Sequence, residues 1–173
     1  MKIAIVCIGV LMTFNTHAQK PEENLVAMGI VLPAEQIAVA NYVNAVLVGN
    51  LLYLSGKGPR QTNGEYMKGK LGKDLTLDQG YEAAKLTAIN QLAVLKLTLG
   101  NLSKVKRIIK VNGYVNSADD FYDQPKVING FSDLMTKVFG DAGKHARTAL
   151  GVNTLPFNMA VEVEMIVEIK ESE

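Results

Sequence analysis

An arginine flanked by very small residues is the strongest candidate for ligand binding in this sequence. Alternation along a predicted strand at residues 145–152 places Arg147 on one face with Ala149 and Gly151. An arginine between such neighbours stands in a hollow, and its planar fork suits bidentate binding of a carboxylate. A solvated arginine on a sheet edge, or an ion pair between subunits, fits the same pattern.

Glutamates alternate with apolar residues in the last predicted strand, at residues 159–169. Glu162, Glu164 and Glu168 point to one side of this strand, while valines, Met165 and Ile169 point to the other. Such alternation usually means a solvated sheet face. A carboxylate at one of these positions is also a candidate acid, base or water-holding group.

The first residues have the three-part layout of a secretory signal peptide. Lys2 gives a basic start, residues 3–14 are almost entirely apolar, and the small residues Thr16 and Ala18 precede a candidate cleavage point. The apolar stretch is shorter than the about 20 residues that a membrane-spanning helix needs. We therefore expect residues 1–18 to be cleaved, with no stable membrane insertion afterwards and a secreted or periplasmic location. A buried N-terminal helix and an uncleaved membrane anchor are the alternatives.

Most of the usual catalytic side chains are missing once this segment is removed. Cleavage takes away Cys7, the single cysteine, and His17, one of two histidines, so that His145 remains. Thiol nucleophiles, disulfides and zinc sites built on cysteine and paired histidines are thereby excluded. A serine–histidine–aspartate system would have to use His145, and no G-x-S-x-G motif surrounds any serine.

Length and charge indicate a single globular domain without an electrostatic attraction to nucleic acid. The 173 residues carry a net charge of +1, which the loss of Lys2 brings to zero. A neutral chain has no long-range field that attracts phosphate backbones, so no nucleic-acid partner is expected. We expect residues 19–38 to form an N-terminal arm and residues 39–173 to form one domain.

Two long helices are predicted, each with a clear start or stop. Thr76 and Gln79 form a capping box, an apolar stripe at spacings of three or four follows, and Gly100 ends the helix. A second helix covers residues 124–139. A short helix or arm is expected within residues 20–32.

Strands are predicted around these helices. Residues 42–48 and 51–55 form a hairpin at Gly49-Asn50, and a loop with a short strand near Tyr66 follows. Further strands are expected at residues 107–115, 145–152 and 159–169. This order predicts an α+β sandwich with two helices on one face of a mostly antiparallel sheet.

These segments together resemble the Rid family, the YjgF-like imine and enamine deaminases that are also called endoribonuclease L-PSP proteins. The resemblance rests on the following pieces, in order: Asn41-Tyr42, Ser55-Gly56, Val127-Ile128-Asn129, Ala146-Arg147-Thr148-Ala149, Leu155-Pro156 and Val161-Glu162-Val163-Glu164. The match covers residues 39–169.

The resemblance implies a chorismate-mutase-like fold and a homotrimer with ligand sites in the clefts between subunits. By position, Arg147 would hold the carboxylate of a 2-imino or 2-keto acid, and Glu162 would position or activate the attacking water. The backbone at Ser55-Gly56 and the side chain of Asn129 would line the pocket, and Tyr42 would close it. An iminium carbon is already electrophilic, so the reaction needs no metal and no cofactor.

The sequence also departs from the family pattern. His145 and Ala149 stand where proline and cysteine are common, and Lys57 stands where glutamine often follows Ser-Gly. Three functions follow from the resemblance. The first is an exported hydrolase of small 2-imino acids, of the 2-iminobutanoate/2-iminopropanoate deaminase type. The second is a non-catalytic trimer that binds a small carboxylate metabolite. The third is a ribonuclease, which the zero net charge and single histidine of the cleaved chain disfavour.

Overall fold

The computed structural model describes residues 20–34 and 41–171, so the candidate cleavage point lies outside the described residues. Three α-helices and five strands make up this part of the chain. They are, in chain order, α1 (Pro21–Ala27), β1 (Ala45–Val48), β2 (Leu51–Lys57), α2 (Leu77–Leu99), β3 (Val105–Asn116), α3 (Gln124–Phe139), β4 (Ala146–Val152) and β5 (Val161–Ile169). Short 3-10 turns lie at Leu102–Lys104, Gly140–Gly143 and Pro156–Asn158.

The five strands form one mixed sheet in the order β1-β2-β5-β3-β4. Every neighbouring pair is antiparallel except β3 and β4, which run parallel. A break in register between β2 and β5 falls between Leu54 and Lys57. The predicted α+β sandwich is therefore confirmed, with β1 and β4 as its two edges.

The core lies between one face of the sheet and the helices α2 and α3. Val161, Val163, Met165 and Val167 alternate into this core from β5, as the sequence pattern predicts. Gly130 of α3 lets the helices pack closely, because a Cβ there would overlap the carbonyl oxygen of Tyr81 in α2. We call the opposite side of the sheet the free face.

Helix α1 packs against the ends of the other two helices. Leu25 is buried in the common core, and Asn24 Nδ2 donates to the Val138 carbonyl oxygen at 2.9 Å. Glu22 accepts hydrogen bonds from Lys96 Nζ at 2.8 Å and from the Leu102 amide at 2.7 Å. These contacts fix α1, the first part of the predicted arm, on the helix layer.

Helix ends follow the sequence more closely than strand ends do. The Thr76–Gln79 capping box and the left-handed Gly100 stop of α2 are both present, and α3 has the predicted bounds. Strand β1 begins at Ala45, later than predicted. The short strand predicted near Tyr66 is wrong, since Tyr66 forms an isolated bridge with Arg60. Turns at Gly64 and Gly69 interrupt the extended pairing there.

Candidate functional site

Arg147 reaches from the edge strand β4 onto helix α3. It pairs with the buried Val111 of β3, which places its side chain on the helix side of the sheet. The guanidinium Nη1 donates to Asn129 Oδ1 at 2.9 Å and to Ser132 Oγ at 3.1 Å. Nη2 donates to the Pro125 carbonyl oxygen at 3.4 Å. Within residues 20–34 and 41–171, Arg147 forms no ion pair.

These contacts leave one edge of the guanidinium fork open. Both Nη1 hydrogens are engaged by α3, and no described residue accepts a hydrogen bond from Nε. Nε–H and one Nη2–H run parallel along the remaining edge, which is the geometry that binds both oxygens of a carboxylate. Asn129, predicted to line the pocket, therefore also holds Arg147 in place. We call Asn129, Ser132 and Arg147 the cation half.

Glu162 lies on the free face, against the second predicted part of the site. It pairs with Tyr114 of β3, and its carboxylate occupies the space over Gly56, where a Cβ would overlap Oε1. Gly56 lies in the register break between β2 and β5, so the bulge and the missing side chain together make room for the carboxylate. We call Gly56, Glu162 and Glu164 the acid half.

The acid half holds two carboxylates with unequal surroundings. Glu164 accepts hydrogen bonds from Asn112 Nδ2 at 3.0 Å and from Tyr114 OH at 3.2 Å. No described residue donates a hydrogen bond to Glu162, and burial, with a smaller contribution from the charge of Glu164, raises the pKa of Glu162. A carboxylate with a raised pKa and an open hydrogen-bonding position is suited to accept a proton from a bound water.

The cation half and the acid half face opposite sides of the same sheet. Arg147 pairs with Val111, whereas Glu162 pairs with Tyr114, three positions along the same strand and therefore on the other face. The strand spacing and the rise per residue put the two Cα atoms about 14 Å apart. A small ligand cannot touch both groups of one chain, so Arg147 and Glu162 can share a ligand only if they come from two chains.

The two remaining predicted residues, Ser55 and Tyr42, both lie away from Arg147. Ser55 precedes Gly56 in the register break, and its Oγ donates to the Val43 carbonyl oxygen at 2.7 Å. Tyr42 is about half exposed and precedes β1, at the opposite edge of the sheet from Arg147. The structure brings neither residue to Arg147 within one chain.

Lys57 is an unusual buried cation beside this region. Its side chain is buried, and Nζ donates to Asn44 Oδ1 at 2.6 Å. Burial, and then the charge of Arg60, lowers the pKa of Lys57. The lysine that stands in place of the common glutamine is thus bonded to Asn44.

Two buried amides of α2, Asn90 and Gln91, bind the backbone at and just after the register break and were not predicted. Gln91 Nε2 donates to the Ser55 carbonyl oxygen at 3.0 Å and to the Val163 carbonyl oxygen at 2.8 Å, so it ties β2 to β5 where Gly56 faces Glu162. Asn90 Nδ2 donates to the Gly58 carbonyl oxygen at 3.0 Å. Neighbouring amides in the buried centre of a predicted helix are the sequence signal for this role.

Ser132 is the other residue that the sequence pattern did not single out. It follows Asn129 by three positions, and residues three apart share one face of a helix. That spacing lets both side chains bond the same Nη1 of Arg147.

Residues 20–34 and 41–171 contain neither a metal-ligand cluster nor a membrane-spanning helix. These residues contain no group of three or more histidine, cysteine, aspartate or glutamate side chains placed to hold a metal ion. None of their helices is long and apolar enough to cross a membrane.

Comparison with known proteins identifies the family. The model of the family described as "YjgF/chorismate_mutase-like, putative endoribonuclease" matches residues 22–169. Protein TCP17 of Trypanosoma cruzi is 44% identical over 84% of this chain and 92% of its own length. A 2-iminobutanoate/2-iminopropanoate deaminase of Dermatophagoides farinae is 32% identical over 76% of this chain and 88% of its own. The crystal structure of a protein of unknown function from Agrobacterium tumefaciens is 43% identical, with a TM-score of 0.80 over 88% of this chain and 93% of its own. The resemblance inferred from the sequence is confirmed, and the chain belongs to the YjgF/chorismate mutase-like, or Rid, family.

Proposed function

We propose that this protein hydrolyses small 2-imino acids, and their enamine tautomers, to 2-keto acids and ammonia in clefts between the subunits of a homotrimer. The observation that carries the proposal is the pairing of two incomplete halves. One is a guanidinium with an open carboxylate-binding edge, and the other is a carboxylate with a raised pKa and no described donor. The 32% identical deaminase supports this choice of reaction.

In this proposal Arg147 fixes the substrate and Glu162 serves the water. The open Nε–Nη2 edge binds the substrate carboxylate, which places the neighbouring iminium carbon in the cleft. Glu162 of the other chain accepts a proton from the water as the water oxygen bonds to that carbon. The C=N double bond becomes a single bond to an amine. Glu162 then gives this proton to the nitrogen. As the C–N bond breaks, the hydroxyl oxygen forms the C=O bond and gives its proton to Glu162, so a keto acid and ammonia leave, and the ammonia takes up that proton as ammonium.

The free face supports the assembly that this reaction requires. Val46, Val48, Tyr53 and Leu150 lie on this face and are between 43% and 61% exposed. They belong to β1, β2 and β4, which lie on either side of the two central strands β5 and β3 that carry the glutamates and their partners. An exposed apolar surface of this kind is typical of an interface between copies of a chain.

The test is hydrolysis of an imine made in the assay by an amino-acid oxidase. The wild type should accelerate loss of the imine, and Arg147→Ala should abolish the effect. Truncating one member of a hydrogen-bonded charge pair costs about 2–5 kcal/mol, or at least roughly 30-fold. Arg107→Ala, which removes an exposed arginine from β3, is the matched control and should retain activity.

Absence of acceleration with several amino acids would contradict the proposed hydrolase. Saturable binding of 2-ketobutyrate in the same preparation, lost in Arg147→Ala, would then indicate a non-catalytic carboxylate binder. A monomeric mass by light scattering would remove the cleft on which the mechanism depends.

Export is a separate proposal, supported by the layout of residues 1–18. The substrate would then be an imino acid formed outside the cytoplasm. N-terminal sequencing of protein from the native host should give Gln19 as the first residue. Protein that begins at Met1 and stays in the cytosol would contradict export while leaving the hydrolase proposal intact.

A further inference from the structure

His145 is connected to Arg147 through the hydroxyl of Ser132. Its ring spans two partners, with Nδ1 2.7 Å from the Gly143 carbonyl oxygen and Nε2 3.0 Å from Ser132 Oγ. The same Ser132 Oγ lies 3.1 Å from Nη1 of Arg147. The imidazole, the hydroxyl and the guanidinium therefore form one continuous chain of hydrogen bonds.

The donor at each step of this chain follows from chemistry. A carbonyl oxygen can only accept, so the hydrogen of the neutral ring lies on Nδ1 and is donated to Gly143. Nε2 is then an acceptor, and the single hydrogen of the Ser132 hydroxyl is donated to it. The lone pairs of Ser132 Oγ are thereby left to accept from Arg147.

We propose that His145 is a positioning residue for the carboxylate clamp, and that it acts in its neutral form by turning the Ser132 hydroxyl so that its oxygen faces Arg147. This inference rests on the proposed role of Arg147 in binding the ligand carboxylate. It assigns a use to a side chain that stands where proline is common in the family and that the hydrolysis itself does not employ.

Protonation of the ring would undo this arrangement. A charged His145 would donate from Nε2 to Ser132 Oγ, so two cations would donate to the same oxygen and repel each other, while the hydroxyl hydrogen would lose its acceptor. Burial lowers the pKa of His145, the Gly143 hydrogen bond opposes this shift, and the charge of Arg147 on β4 adds to it. The neutral ring is therefore the form present at neutral pH.

The charged groups on the other elements near the ring have partners of their own. From α3 the ring meets the neutral Ser132. The turn at Gly140–Gly143 carries Asp141, whose carboxylate is paired with Lys144 at 2.7 Å. The Asp133 carboxylate of α3 accepts from Tyr81 OH at 2.8 Å.

The test compares two variants of His145 in ligand binding, which does not depend on catalysis. The Oε1 atom of His145→Gln can replace Nε2 as the acceptor for Ser132 and does not titrate, whereas His145→Leu has no acceptor. At pH 7.5, calorimetry with 2-ketobutyrate should give wild-type affinity for His145→Gln and roughly threefold to tenfold weaker affinity for His145→Leu, as expected for the loss of one net hydrogen bond.

The pH profile separates positioning from a packing effect. The wild-type dissociation constant should rise as the pH falls below the ordinary histidine range, because the protonated ring places a second cation on the hydroxyl that anchors Arg147. His145→Gln should show no such step. His145→Leu with wild-type affinity at pH 7.5, or a step that persists in His145→Gln, would overturn this inference.

The outcome for Arg147→Ala distinguishes this failure from failure of the proposed function. If the wild type binds 2-ketobutyrate and Arg147→Ala does not, the clamp stands, and the His145 variants judge the inference alone. If the wild type binds no 2-keto acid, both the proposed function and this inference are overturned.

Discussion

The cation half and the acid half are built on the same sheet but are prepared for a ligand in opposite ways. Asn129, Ser132 and a backbone carbonyl, all from α3, hold the Arg147 guanidinium with neutral acceptors and leave one edge open. Glu162 lies beside another glutamate and receives no hydrogen bond from a described residue. The guanidinium is held in one orientation, whereas the Glu162 carboxylate is an acceptor without a described donor. In the proposed reaction, the carboxylate of an imino acid would bind the guanidinium and the attacking water would donate to Glu162.

The largest expected effect is a loss of turnover when the acid half is changed at Glu162. Glu162→Gln keeps the shape of the side chain and removes the base, so kcat for imine hydrolysis should fall by at least about 100-fold. Affinity for 2-ketobutyrate, measured by calorimetry, should change little because Arg147 is intact. Glu164→Gln is the matched control, since an amide oxygen there can still accept from Asn112 and Tyr114. Equal losses in the two variants would contradict the assignment of the base to Glu162.

The next largest expected effect is a loss of folding stability when the register break between β2 and β5 loses its support from Gln91. Gln91→Leu leaves the carbonyls of Ser55 and Val163 without their donor and should lower the free energy of unfolding by about 2–4 kcal/mol. Denaturant unfolding measures it, with Gln61→Leu in the exposed loop as control, expected to stay within about 0.5 kcal/mol of the wild type. A Gln91→Leu protein as stable as that control would show that the amide does not support the register break.

A somewhat smaller effect is expected from filling the space that Glu162 uses. Gly56→Ala places a methyl group where the carboxylate lies, and overpacking of this kind costs about 1–3 kcal/mol. The same substitution should cost much less in a Glu162→Ala background, because the overlapping atoms are gone. A double-mutant cycle in unfolding free energy measures this coupling, and additive costs would contradict the close contact.

Much of this fold follows from local sequence patterns, because those patterns act within single elements. The Thr76–Gln79 capping box and Gly100 define α2, and alternation in β5 separates Val163 from Glu162 and Glu164. The pairing register between strands is not a local property. The sequence therefore places Arg147 and Glu162 each on a face of its own strand without showing that those faces are opposite sides of the sheet.

The roles that the sequence did not predict belong to polar groups that bind the backbone or another side chain. Gln91 lies within an apolar helix, and its bonds to Ser55 and Val163 come from strands far away in sequence. Ser132 and His145 gain their relation to Arg147 only when α3 packs beside β4. Alternation and helical periodicity report burial, whereas these partners are set by tertiary packing.

The smallest expected effect is a pH dependence of stability at Glu162. The pKa of its carboxyl is raised in the folded state, so the folded chain binds a proton more readily than the unfolded chain. The resulting destabilisation is complete above the folded pKa and disappears as the pH falls below the unfolded value. Glu162→Gln should therefore be more stable than the wild type at neutral pH, and the two should converge on acidification. Denaturant unfolding across pH 4–8 measures this, and a constant difference would contradict the raised pKa.

The most direct test of the account mixes two inactive variants. Arg147→Ala and Glu162→Gln chains, each inactive alone, are co-expressed with different tags, and mixed oligomers are purified by both tags. If each site takes Arg147 from one chain and Glu162 from another, every mixed trimer contains one intact site of three, so the purified mixed trimers should show about a third of the wild-type activity. Mixed oligomers that form but show no activity would contradict a site assembled from opposite sheet faces of two chains.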